Sequence, residues 1–209
     1  MTVWSNERRF DRHILILTKI KLCVTFKEPF LTLKPIHMAS IVPLTIQAGI
    51  TQNFGSRITI GTNKLSIPYN VSNLYWAVVL DRTNLNVLQN FTFTDNQNIP
   101  AQLNPYINNS QYILILTTQN LSTTHLPTGN FYNFLIQEGA GVALLRIEQI
   151  YQALSCGTWG WAGYTLVCVM DKSTCYDFSD VLGNATVNTL SLMPIQVGTG
   201  VLYTPTELK

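Results

Sequence analysis

Charge is what this chain has least of. Asp, Glu, Lys and Arg make up 11% of its 209 residues, roughly half the usual share. Between Thr83 and Gln137 the only one of them is Asp95. Neutralising phosphates takes a clustered basic face, so the composition argues against a nucleic-acid partner. Histidine is as scarce: His13, His37 and His125 stand apart, with no acid and nucleophile gathered around any of them. Catalysis by a nucleophile or an acid–base pair needs such neighbours, and the chain reads as a non-enzyme. Cys23, Cys156, Cys168 and Cys175 show no C-x-x-C spacing and have no nearby histidine, which speaks against a zinc site. No metal and no cofactor is expected. Long apolar runs are also missing. The stretch Ile14 to Leu17 is cut off by Lys19 and Lys21, too short for the core of a signal peptide or for a membrane span. No 20–50-residue repeat indicates a solenoid or propeller.

What is present divides at Met38. Residues 1–37 carry seven Lys or Arg against three acids, whereas residues 38–209 carry six against eight. The first segment therefore reads as a basic, weakly ordered extension, and residues 38–209 as one globular domain. Its hydrophobic content, 46% over the chain, is ample for a core.

Residues 139–171 organise the rest. Ala140, Ala143, Leu144, Ile147, Tyr151 and Leu154 recur at three- and four-residue intervals, with Arg146, Glu148, Gln149 and Gln152 between them, the pattern of an amphipathic helix. Gly157 then stops it. Residues 164–169 are apolar, β-branched or aromatic without charge, which predicts a strand covered on both faces. Upstream, residues 41–47, 57–60, 65–67, 74–80, 87–94 and 112–116 read as strands between Gly- and Asn-containing turns, and Phe131, Phe134, Leu135 and Ile136 as one face of a short helix. Downstream, residues 172–184 read as a polar segment, 187–195 as an edge strand limited by Pro194, and the remainder as surface. The expected fold is a compact β-rich domain, α+β or mixed α/β, with mixed or antiparallel sheets and two or three short helices.

The order of elements from about residue 73 to 171 resembles the interleukin-like EMT inducer (ILEI/PANDER) domain family. Residues 74–81, 87–94, 100–107, 112–118, 131–139 and 164–169 look like its strand, strand, short helix, buried strand, helix and final apolar strand. Two positions depart from the family pattern: Ala162-Gly163 stands where Arg-Asp is usual, and Gln119-Asn120 replaces an acidic pair. The resemblance implies a non-enzymatic interaction module, secreted or attached to glycan-handling proteins.

Candidate sites are few. Gly139 and Gly141 ahead of a helix suggest a phosphate-binding turn, but Leu144 occupies the place of the third glycine in G-x-G-x-x-G. Asp177 and Asp180 are two acids in a polar segment, read as solvated. Trp159 and Trp161 lie in a glycine-punctuated loop just before Tyr164; outward aromatics there suit a sugar face or a protein partner, and these three are the candidate ligand-binding residues. Cys156 is placed to pair with Cys168 or Cys175 if the chain is exported, with buried free thiols as the alternative. The function expected is binding of a glycan or protein partner, outside the cell or on a particle surface. The alternative is a structural component of a virion or phage tail appendage, made in the cytoplasm and assembled there, with a homo-oligomer among the possibilities.

Overall fold

The computed structural model describes residues 41–68, 70–154, 160–172, 174–182, 185–198 and 200–206. The expectation for residues 1–37 lies outside that set, as do Cys156 and Trp159. The strands are β1 (Leu44–Gly49), β2 (Arg57–Ile60), β3 (Asn63–Ser66), β4 (Leu74–Asp81), β5 (Val87–Phe93), β6 (Tyr112–Gln119), β7 (Leu121–Ser122), β8 (Trp161–Val169), β9 (Cys175–Val181), β10 (Val187–Val197) and β11 (Gly200–Pro205). Two α-helices among the described residues, α1 (Gly129–Gln137) and α2 (Val142–Leu154), lie between β7 and β8. The domain is β-rich with a mixed sheet, as the sequence suggests.

Pairing sorts the strands into two antiparallel groups. One runs β5-β4-β6-β8-β9, with β7 continuing β6 alongside β8. The other runs β3-β2-β1-β10-β11. Among the described residues a single parallel pairing, Gly49 with Gln119, joins them. Alternation along β4 explains the layering. Tyr75, Ala77 and Val79 face a cluster with Phe131, Leu135 and Leu144 of the helices, while Trp76, Val78 and Leu80 face one with Ile46, Ile58 and Leu192 of the second group. Helices, first group and second group therefore stack as three layers. The middle layer is apolar on both faces, so β4, β6 and β8 read as continuous apolar runs although their pairing is antiparallel.

Helix α2 presents Ala143, Leu144 and Ile147 inward and leaves Arg146 and Gln149 exposed, as the spacing predicts. Two expectations are corrected downstream. The polar segment contains strand β9, whose Tyr176 and Phe178 pack on the core between the strand groups. Nor is β10 an edge strand: it lies between β1 and β11. Pro194 is tolerated because β1 ends opposite Leu192, so beyond it only β11 runs alongside.

The joint between the groups is polar. Gln119 is fully buried, and its Oε1 accepts from the Ser56 amide (2.7 Å) and hydroxyl (2.9 Å) while its Nε2 donates to the Phe54 carbonyl (3.1 Å). The Asn120 amide donates to the Gly49 carbonyl at 2.6 Å. Asn120 takes a positive φ of 49°, a conformation asparagine reaches more readily than most residues. A buried amide with both ends bonded costs little and fixes one register.

Candidate functional site

Of the three candidate aromatics, Tyr164 is not available to a ligand. Even positions of β8 face the helices, and Tyr164 is wholly buried among them. Its hydroxyl donates to Asp177 Oδ2 at 3.4 Å. Burial, followed by the neighbouring Asp177 carboxylate, pushes its hydroxyl pKa well above the ordinary value. Trp161 opens β8 opposite Ser122 and is half-buried. Beside it, Gly160 lets the Tyr151 ring of α2 pass where a Cβ would stand, 1.9 Å from Cε1.

Cys168 and Cys175 face each other across β8 and β9 as free thiols. The hydrogen bond to Cys175 first, and burial second, push the Cys168 thiol well up, so it stays protonated and unreactive at neutral pH.

Asp177 is half-buried and bonded to α2, not a free loop acid. Its Oδ2 accepts from the amides of Gly141 (3.0 Å) and Ala143 (3.3 Å) at the start of α2, and Ser179 of the same strand donates to the Ala143 carbonyl at 2.7 Å. The helix start that resembles a phosphate turn is thus filled by the chain's own carboxylate, which satisfies unpaired amides and suits the positive helix end. Asp180 Oδ1 accepts from the amide of the next residue, Val181, at 2.9 Å.

Glu138, between the helices, is buried with neither carboxylate oxygen hydrogen-bonded. Burial raises its pKa, Lys172 acts the other way to a smaller extent, and Asp171 adds to the rise. An acid whose folded-state pKa is raised is most stabilising in its protonated form. That contribution is complete below the unfolded value, about 4.3, and is lost as pH rises through the folded value. Glu138→Gln should therefore match the parent protein in thermal midpoint below about pH 4 and exceed it increasingly above that. An equal gap at all pH values would show that ionisation is not the cause.

The structure adds a feature that no local motif announces. Between the two strand groups, at the end where β8 turns into β9, lies an opening of about 260 Å³. Leu44, Ile113, Val167 and Leu192 form its floor and belong to the core between the groups. Val201 and Tyr203 of β11 line the facing wall, and Arg82, just beyond β4, stands at the rim. The Tyr176 hydroxyl donates to the Tyr203 carbonyl at 3.0 Å, tying the edge strands β9 and β11 together along one side. Residues 81–84 read in sequence only as a turn, and the lining comes from chain ends more than a hundred residues apart. No protein-family model matches the chain, and no curated protein matches it.

Proposed function

We propose that the chain is a non-enzymatic interaction module that assembles with a second copy of itself through the β10–β11 ribbon, outside the cell or on a particle surface. The observation that carries this reading is an exposed apolar row. Inward-facing Leu190 and Leu192 put Met193, Ile195 and Val197 on the outer face of β10, and Leu202 stands directly across from Ile195. These four are 45–60% exposed.

Elsewhere the outer face of this strand group is polar, with Thr45, Gln47, Arg57, Thr59, Thr189 and Ser191. Edge strands are normally protected by charge, yet residues 181–206 contain no Asp, Glu, Lys or Arg, and among the described residues β11 pairs with no strand but β10, with its Tyr203 carbonyl taken by the Tyr176 hydroxyl and its end blunted by Pro205. An uncharged edge meets no repulsion from its own copy, and antiparallel pairing about a two-fold axis closes the assembly. The resemblance to ILEI-type modules is consistent with a binding role. A glycan is less favoured, because Tyr164 is buried and Trp161 is only half-accessible.

Light scattering on the full chain tests this. The parent protein should be dimeric at tens of micromolar, and the double variant Ile195→Lys with Leu202→Lys should be monomeric with its thermal midpoint held within a few degrees, since both residues are exposed. A monomeric parent protein at that concentration would overturn the proposal.

A further inference from the structure

The opening between the strand groups has an apolar floor and, among the described residues, one charge. Leu44, Ile113, Val167 and Leu192 are core residues, and interiors ordinarily close over such side chains to near-crystalline density. Here the facing wall is anchored elsewhere. The Tyr203 hydroxyl donates to the Val42 carbonyl at 2.9 Å, and the Tyr203 carbonyl accepts from Tyr176 at 3.0 Å. These bonds seat β11 against both groups without filling the space beneath it.

Among the described residues, Arg82 is the only charged side chain that lines the opening, and no carboxylate does. Its backbone amide is fixed by the Gln111 carbonyl at 2.8 Å. The guanidinium donates from Nη1 to the Ser110 carbonyl at 3.2 Å, and no carboxylate pairs with it among the described residues. Arg82 is otherwise exposed at the edge of an apolar opening, an arrangement matched to a carboxylate.

We propose that this opening binds a small anionic amphiphile, an apolar body of about ten carbon atoms bearing one carboxylate that Arg82 receives. The size follows from volume: a cavity of about 150 Å³ holds benzene, with six carbons, and this one measures about 260 Å³. A single guanidinium at the rim fits one anionic group, and a nucleotide or polyphosphate would need several cations. A sugar would leave its hydroxyls unbonded on a floor of Leu, Ile and Val. Of the exposed row, Leu202 also lines the opening, whereas Met193, Ile195 and Val197 do not.

The test is titration of the full chain with decanoate and with decanol, which has the same chain length and no charge, both below their aggregation limits. Decanoate should bind saturably and about tenfold more tightly than decanol, the factor expected of one charge-assisted contact. Arg82→Gln should bring decanoate to within about twofold of decanol while leaving decanol unchanged; Arg82 is exposed, so the variant folds. Val201→Trp, built from the half-buried wall residue into the cavity, should remove binding of both. Absence of saturable decanoate binding, unchanged affinity in Arg82→Gln, or unchanged affinity in Val201→Trp would each overturn the assignment.

Discussion

Gly49→Ala should destabilise the protein by about 4–5 kcal/mol, near the upper end for any single substitution, although it adds only a methyl group. A Cβ at this position would stand 1.9 Å from the Phe54 carbonyl oxygen and 2.7 Å from Gln119 Oε1. A flexible side chain could swing away from such a contact, but these neighbours are held. The Phe54 carbonyl accepts from Gln119 Nε2 at 3.1 Å, and the Phe54 amide closes the turn on the Thr51 carbonyl at 3.3 Å. Making room means moving the turn between β1 and β2, which pulls Gln119 off Ser56 and leaves buried donors and acceptors unpaired. Each such orphan costs about 1–3 kcal/mol, and overpacking adds a similar amount. Urea unfolding followed by circular dichroism measures the loss. A fall below about 1 kcal/mol would show that the joint yields and that the two strand groups are not rigidly registered there.

That joint was invisible in the sequence. Gln119-Asn120 reads in sequence only as a departure from the acidic pair of the family pattern, and Gly49 as a turn signal. Only the pairing of β1 with β6, seventy residues apart, gives them their role. The middle layer was legible for the opposite reason: β4, β6 and β8 are covered on both faces, so burial writes itself into an unbroken apolar run. Helix α2 was legible from its spacing. Strand β9 was missed because its outward residues carry polar duties toward the helices. Asp177 and Ser179 hold the start of α2, and their alternation with Tyr176 and Phe178 looks like a solvated loop when the partner helix is unknown. The edge reading of β10 rested on Pro194, which does stand where one neighbour is absent, but only beyond the end of β1. The Arg82 opening is assembled from strand ends that no local pattern links. For Trp159 and Cys156, the residues on which much of the expected site rested, position in the fold lies outside the described set.

The layering itself can be tested at Trp76, the largest fully buried side chain among the described residues, 1% exposed between the two strand groups. Trp76→Ala should cost about 3–5 kcal/mol, the range for removing a buried aromatic and leaving part of its volume empty. In a domain of this size that corresponds to a fall of about 10 °C in thermal midpoint. The indole's hydrogen bond is a minor part of this. Nε1 donates to Asn90 Oδ1 at 2.7 Å, but Asn90 is exposed and regains a water when the indole is removed, so the net loss is about 1 kcal/mol or less. Trp76→Phe, which keeps most of the apolar contact, should therefore cost less than half as much as Trp76→Ala. Leu88→Ala, on the edge strand β5 with a side chain 41% exposed, should cost well under 1.5 kcal/mol because there is no cavity to leave. If Trp76→Ala cost no more than Leu88→Ala, the even face of β4 would not be buried against the second strand group. The three-layer arrangement, and with it the cavity beneath β11, would then have to be abandoned.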